Sequence, residues 1–468
     1  MNNGKFGTSG IFIDRTRLML EMIKENTWCV FNRPVRFGYT TLISMFREYF
    51  LGNVSSFEGT DIESEVASLK SYDVYMIDFS SYSLYTRPKI RVGFDYEATY
   101  DLKRKMYKTI LEPEFTRVGL LTCKVSSRQE LLHHIISNIK RKYIETGIKI
   151  VFLFDFYDKP IMDVLSLRVF EGVAEELLGF YSTLIGNCKK EIEFAFFVGC
   201  GVSNKRPAGV KDLSVDVKYN TLLGVAKADV SPQIAYFLDE VGTYNFVAQG
   251  EQMYPISIVA QCYKDGKYPI NYVYSDTMEY VFRYIIRNNG IVFTDLPNKI
   301  GQTSVLYKLG FFTMRRGKFD FVDAYCAKRL CSEFMYDWGE LRNSPNLFRQ
   351  LFESNVLSFK SDLDKFYDSL SRKINKKLIK MTLYVMANLT QGVEVYYDEG
   401  TTLIVIRLQF INFVVTQALL QHERSNDFEV VYTDKPYVYI DMILDEERRR
   451  ISSFDYNIST ATGGGRRV

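Results

Sequence analysis

Long unbroken hydrophobic runs are missing from this chain, closely paired cysteines are missing too, and histidine and tryptophan are scarce. The oiliest stretch, residues 403–420, is interrupted by Arg407, Gln409, Asn412 and Gln417. Four polar side chains exclude an unaided membrane span and predict a buried strand-to-helix segment instead. The first residues, Met1-Asn-Asn-Gly-Lys, lack the apolar core of a secretory signal, so an intracellular protein with no membrane partner is expected, cytoplasmic or nuclear. Seven cysteines (29, 123, 188, 200, 262, 326 and 331) form no C-x-x-C pair. The spacing of Cys326 and Cys331 is too wide for a zinc knuckle, and the three histidines do not join them. Reduced, mostly buried thiols are the expectation. Charge of one sign is also lacking: a net charge of +3 does not by itself imply a nucleic-acid partner.

What is present is a soluble, globular composition, 47% hydrophobic and 25% charged. At 468 residues, two or three domains are expected. Phenylalanine (35) and tyrosine (33) are abundant against 2 tryptophans. That excess is compatible with aromatic interior packing, with an interaction surface, or with A/T-rich codon usage.

The chain is organised around Phe31-Asn-Arg-Pro-Val-Arg-Phe-Gly-Tyr-Thr-Thr41. The apolar run Trp28-Cys-Val-Phe31 before it predicts a buried strand. Leu42, Ile43, Phe46, Tyr49 and Phe50 after it recur at helical spacing and predict a helix opening near Thr40. Strand, glycine turn and helix N-terminus together present backbone N–H groups to an anion. A full phosphate-binding loop reads G-x-x-x-x-G-K-[ST]. Gly38 and Thr40 fit that pattern, but Arg33 stands at the first glycine and Tyr39 at the lysine.

Phe12-Ile-Asp-Arg-Thr16 followed by Phe31-Asn-Arg-Pro-Val-Arg-Phe-Gly-Tyr-Thr40 resembles the opening of the AAA-ATPase-like family, which reads roughly Y-V-D-K-T and then F-L-S-R-P-R-R-F-G-K-S. Downstream, Ile150-Val-Phe-Leu-Phe-Asp-Phe-Tyr-Asp-Lys-Pro-Ile161 resembles the family's V-V-L-I-D-E-Y-D-K-P-I. The resemblance covers roughly residues 8–335. It implies a nucleotide site with Arg33, Arg36, Gly38, Tyr39, Thr40, Asp155 and Asp158 around it, ATP as the ligand, and magnesium on Asp155. Two positions depart from the family. Its loop lysine is Tyr39 here, and the acidic residue after the strand-end aspartate is Phe156. Phosphoryl transfer depends on neutralising phosphate charge and positioning the nucleophile, and neither aromatic ring does that. Arg33 and Arg36 offer forked cations in place of the lysine.

Along the chain, a helix is predicted over 16–26, with Leu18, Met19, Met22 and Ile23 on one face. A strand over 72–79 ends near Asp78, at the end of a sheet where ligands bind, although a strand-end aspartate also caps turns. Helices are predicted over 100–118 and 127–145, a buried strand over 148–154, and an ion-paired turn at Asp158 and Lys159. A helix over about 162–188 and a strand over 192–198 follow. The family places a polar sensing residue near this point, where Val198 and Cys200 are poor substitutes and Ser203 and Asn204 are candidates. This alternation predicts an α/β fold, a doubly wound parallel sheet with a P-loop NTPase-like core. Beyond residue 225, helices are expected near 230–243 and 276–289. A short helix at 304–310, a hairpin over 311–322 and a helix over 324–338 make a winged-helix-like segment, which either grips DNA or packs as a lid.

Asn343-Ser-Pro-Asn346 reads as a boundary. Helices are expected over 347–370, and Arg372, Lys373, Lys376, Lys377 and Lys380 line one helical face, either solvated or touching nucleic-acid phosphates. In the resembling family the C-terminal part is often a PD-(D/E)XK nuclease, with an aspartate and an E-x-K triplet on adjacent strands. Here Asp441 stands on a strand over 438–444, and Phe454-Asp455-Tyr456 takes the triplet's place without its lysine. The expected domains are a P-loop core at 8–225, a helical and winged-helix-like region at 226–340, an α+β nuclease-like domain at 347–457, and a tail at 458–468. Two function classes follow. One is a pseudo-ATPase and pseudo-nuclease that binds protein partners as a scaffold. The other is an enzyme that still binds ATP or cuts DNA.

Overall fold

A computed structural model describes residues 12–84, 96–164, 170–203, 205–239, 243–247, 250–265, 307–310, 312–315 and 318–321. Beyond these it describes four helical positions within 358–364 and the strands at 394–397, 403–407, 412–419, 437–445 and 450–459. The chain divides into two compact units; the described residues up to 321 belong to the first and the strands from 394 onward to the second.

The first unit is built on β1 (Trp28–Asn32), β2 (Asp73–Asp78), β3 (Ile150–Asp155), β4 (Ile192–Gly199) and β5 (Lys211–Asp212), in the order β2-β3-β4-β1-β5 with every pairing parallel. Both central strands are covered on two sides: every residue of β3 and all but one of β4 are buried. This is why they read as continuous apolar runs rather than alternating ones. The expected parallel sheet is therefore present. Its fifth strand was not foreseen, because two residues leave no period to read.

The helices are α1 (Thr16–Glu25), α2 (Tyr39–Phe50), α3 (Glu63–Val66), α4 (Tyr96–Met106), α5 (Glu112–Arg117), α6 (Arg128–Thr146), α7 (Lys159–Met162), α8 (Phe170–Asn187), α9 (Pro232–Asp239) and α10 (Ile256–Asp265). Aromatic rings mark how two of them cover the sheet. On one face Phe46 and Phe50 of α2 meet Phe196 and Phe194 at 4.5 and 5.3 Å between ring centres. On the other, Phe154 and Phe197 stack at 4.4 Å and both meet Tyr181 of α8. A good part of the aromatic excess is thus core packing.

Several boundaries differ from expectation. The helix expected over 100–118 is α4 and α5 joined by a π turn at Tyr107–Leu111. Pro113, which has no N–H to donate, lies at the start of α5 and accounts for the changed register. The helix expected over 162–188 is α7 and α8. α6 begins where its signals lie: the Ser127 hydroxyl accepts the Glu130 N–H, and Gly147 closes the helix in the left-handed region (φ 68°).

After β5 come the short pair β6 (Val225–Ala226) and β7 (Met253–Tyr254), then the hairpin β8 (Phe312–Arg315) and β9 (Lys318–Phe321). The hairpin is where the sequence places it. The helices expected at 276–289 and 324–338, and most of 304–310, lie outside the described residues, so a winged helix is not established. No described helix is long and apolar enough to cross a membrane.

The second unit contains a mixed sheet, β10 (Glu394–Tyr397), β11 (Leu403–Arg407), β12 (Asn412–Leu419), β13 (Tyr437–Asp445) and β14 (Arg450–Ser459), in sequential order. All its pairings are antiparallel except β12 with β13. The strand-to-helix reading of 403–420 is corrected to two strands; the β-branched Ile404, Val405, Ile406, Val414, Val415 and Thr416 favour that outcome. Asp441 and Asp455 face each other as register partners across β13 and β14. β14 runs two residues past the expected domain end at 457. Most of the helical stretch at 347–370 and the basic stretch at 372–380 lie outside the described residues.

Candidate functional site at the mouth of the parallel sheet

β1 lies between β4 and β5, and its chain crosses through α2 to β2 at the far edge of the sheet. In open α/β sheets ligands bind beyond the carboxyl ends of the strands. The loop at residues 33–38 leaves β1 at this point.

Two residues of the loop take left-handed backbone, Arg36 (φ 74°) and Gly38 (φ 103°). Gly38 caps α2 and fits for two reasons: its φ, and a neighbour so close that an added Cβ would lie 3.3 Å from Ile256 Cγ2. Downstream segments wrap the loop. Gly224 N–H donates to the Phe37 carbonyl (3.1 Å) and Ser257 N–H to that of Arg36 (3.4 Å). Phe37 meets Tyr244 and Phe246 edge-on, each at 5.2 Å.

Arg33 does not face an open crevice. It is buried, with its guanidinium between the rings of Phe31 (4.3 Å) and Phe246 (4.1 Å). It donates to the carbonyls of Asn32 (2.9 Å), Ser214 (2.6 Å) and Asn220 (3.3 Å). Burial lowers its pKa to about 10. The phosphate-binding role expected of Arg33 is corrected to an internal clamp. Arg36 is half-buried.

Thr40, in the first turn of α2, donates its hydroxyl to Asp155 Oδ2 at 3.4 Å. The hydroxyl of the loop and the aspartate ending β3 are far apart in sequence, and the fold brings them together as the two motifs require. Residues 6–206 match the AAA-ATPase-like family model, described as Predicted AAA-ATPase. The match spans both motifs and β1–β4, and stops before the segments that wrap the loop. A protein of Azotobacter chroococcum mcd 1, named only as an uncharacterized protein in the vnfD 5' region, is 24% identical over 235 residues. Those residues are 49% of this chain and 42% of that relative, so the similarity spans less than half of its length. No solved structure matches the chain.

Within the stretch that matches this family model, Tyr39 and Phe156 pack on each other. Tyr39 is buried, its ring edge-on to Phe156 at 5.3 Å and its hydroxyl 3.9 Å from the Cys200 sulfur. Phe156 turns out of β3 at φ 50°, which non-glycine residues adopt at some cost. The two positions that depart from the family are in contact.

Asp155 is 1% exposed, and its Oδ1 has no hydrogen-bond partner among the described residues. Burial, with Asp78 adding to it, pushes its carboxyl up to about 7 against the opposing bonds from Thr40 and the Phe156 N–H. Asp78 sits in register beside Asp155 on β2. Its Oδ1 caps the next turn through Ser80 N–H (2.8 Å), as a strand-end aspartate often does.

Asp158 is buried and accepts N–H bonds from Cys200 (3.2 Å) and Val202 (3.1 Å), thereby shaping the turn after β4. Burial raises its pKa while these N–H groups lower it. The expected ion pair is corrected: Lys159 pairs with Asp163, not Asp158. Gly199 has to be glycine, since a Cβ there would lie 2.2 Å from Asp158 Oδ1. Asp158→Ala leaves two buried N–H groups without an acceptor and is expected to cost about 2–4 kcal/mol, read by urea unfolding. At the sensing position Val198 and Cys200 are buried, and the Ser203 hydroxyl accepts from Lys205 N–H (3.1 Å). Asn204 lies outside the described residues.

Two residues escaped the sequence reading. Glu114, 1% exposed, accepts Asp78 N–H (2.7 Å), Tyr82 Oη–H (3.0 Å) and the Arg117 guanidinium (2.6 and 2.9 Å), fixing the end of β2. The Glu-Arg spacing of three on a helix was its visible signal. Lys308, largely desolvated, has its pKa pushed down to about 8 and is held back from falling further by Asp158 and Asp212. It stands far beyond both motifs, so nothing local marks it.

Proposed function

We propose that this AAA-ATPase-like protein is a catalytically inactive pseudo-ATPase joined to a degenerate PD-(D/E)XK nuclease-like domain, acting as a protein-binding or regulatory scaffold. The contact between Tyr39 and Phe156 carries the reading. A ring that packs against another ring cannot neutralise an outer phosphate, and its partner cannot orient water. Losing both groups together, with the replacements in mutual contact, is what a site retained for its shape would look like. In the second unit, Asp441 and Asp455 are register partners, but Phe454-Asp455-Tyr456 brings no lysine to activate a nucleophile.

Magnesium fits the chain better than hydrolysis does. Thr40 and Asp155 would hold it, and the partnerless Asp155 Oδ1 is an oxygen suited to it. When bound, it would supply charge neutralisation for a phosphate. That pair supports a second reading, in which ATP still binds, with Arg36 as its cation.

Thermal unfolding and phosphate release separate the two readings. With millimolar Mg·ATP the proposed scaffold shows no ATP-dependent stabilisation beyond magnesium alone, and no turnover above an Asp155→Asn control. An ATP-dependent upward shift lost in Arg36→Ala and Thr40→Ala would favour the second reading, and turnover would overturn the first. Metal-dependent DNA cleavage abolished by Asp441→Ala would overturn the nuclease half. The hairpin at 312–321 belongs in this reading to a lid over the core. Nucleic-acid contact through it or through 372–380 is the alternative.

A further inference from the structure

We propose that two copies of this chain join edge to edge through β14, with Ser453–Ser459 pairing antiparallel to its own counterpart and Tyr456 on the two-fold axis. β14 lies at one end of the second sheet and, among the described residues, has a strand neighbour on one side alone, β13. It is the longest described strand, at ten residues, whereas β10 at the opposite edge has four. An edge strand carries a row of backbone N–H and C=O groups that a further strand can pair with. Long edges are blunted in proteins by lysine, proline or a bulge.

Such guards cover only the start of β14. The pairing with β13 shifts register between Ile443 and Leu444, which makes Ser452 the extra residue of a bulge, and Arg450 precedes it. From Ser453 to Ser459 the pairing runs without a break. This stretch contains no proline, lysine or glycine, and its one charged residue is Asp455. Seven such residues along an edge are a template for association unless another strand covers them.

The residue order selects the occupant. Ser453-Phe-Asp-Tyr-Asn-Ile-Ser459 reads nearly the same in both directions about Tyr456. Antiparallel pairing of two copies about that residue sets Tyr456 opposite Tyr456, Asp455 opposite Asn457, Phe454 opposite Ile458 and Ser453 opposite Ser459. Apolar positions meet apolar ones, each carboxylate position meets an amide, and no like charges are opposed. A contact that uses the same patch on both subunits needs this symmetry, whereas a strand from an unrelated protein does not. Register is specified as well. An axis at Asp455 sets the two carboxylates against each other, and an axis at Asn457 leaves Phe454 opposite no residue of β14. The two five-stranded sheets then run on as one.

Sedimentation velocity of the full chain over a concentration series, without nucleotide or DNA, tests the pairing. The wild type is expected to be a reversible dimer. Asn457→Asp opposes two pairs of carboxylates, one in each half of the contact, and should weaken dimerisation at least ~10-fold. Asn457→Lys sets an ammonium opposite each Asp455 and should keep or tighten the dimer. Damage to the fold alone would weaken both variants alike. Tyr456→Cys should cross-link with its own copy under mild oxidation, above the level that the native cysteines give, because directly opposed residues lie within disulfide reach. A wild type that stays monomeric, a dimer indifferent to Asn457→Asp, or equal loss in both Asn457 variants would overturn the proposal. The pairing requires neither ATP binding nor DNA cleavage, so turnover of either substrate would overturn the scaffold reading and leave this one standing.

Discussion

Arg33→Ala is expected to cost the first unit about 3–5 kcal/mol of folding stability, the largest effect of any change at the loop. The guanidinium joins three stretches of chain through the carbonyls of Asn32, Ser214 and Asn220, and two of those lie about 180 residues away in sequence. It also fills the space between Phe31 and Phe246, so truncation removes packing and cation–π contact together with the hydrogen bonds. Urea unfolding followed by the fluorescence of Trp28, which lies on β1, reads the loss where it occurs. Arg33→Lys should recover only part of it, because an ammonium cannot reach three carbonyls in a planar fork. If Arg33 were a phosphate ligand, the alanine variant would leave nucleotide-free stability nearly unchanged.

The same residue shows where sequence reading stops. Arg33 stands at a phosphate-loop position, and its type suits an anion, so a phosphate role followed naturally from pattern. Its actual partners are carbonyls from residues 214 and 220 and a ring from residue 246, none of which the local spacing predicts. The parallel sheet was legible because burial on both faces leaves continuous apolar runs, as in β3 and β4. Thr40 and Asp155 were placed around one site only through the resemblance of the two motifs to the family, and their 3.4 Å contact comes from the fold. Asp158 was marked as a site residue, but its partners were misjudged: the adjacent Lys159 suggested an ion pair, whereas the carboxylate serves backbone N–H groups of the turn after β4. Contacts that depend on tertiary placement left less: Glu114 showed only its i,i+3 spacing to Arg117, with nothing to mark its bonds to Asp78 and Tyr82, and Lys308 left no periodic or motif signal.

Asp155→Asn should abolish the pH dependence that this carboxylate imposes on the fold. Its pKa is pushed up to about 7 in the folded protein, first by burial and then by Asp78. The ordinary value in an unfolded chain is about 3.9. Between those values the folded state binds more protons than the unfolded one, so stability falls as pH rises. The favourable contribution is complete below about pH 4 and lost once pH passes about 7. An asparagine keeps the shape and an oxygen for the Thr40 hydroxyl, and carries no charge to desolvate. In EDTA the variant should match the wild type near pH 4 and exceed it at pH 8 by up to about 4 kcal/mol, the linkage limit for a shift of about three pKa units. Denaturation midpoints across this range check both sign and size. A wild type whose stability rises from pH 5 to 8 by a step that Asp155→Asn abolishes would show that the carboxylate is stabilised as an anion in the fold. A cation held by Thr40 and Asp155 has that same effect, so the wild-type deficit at pH 8 should shrink when EDTA is replaced by magnesium.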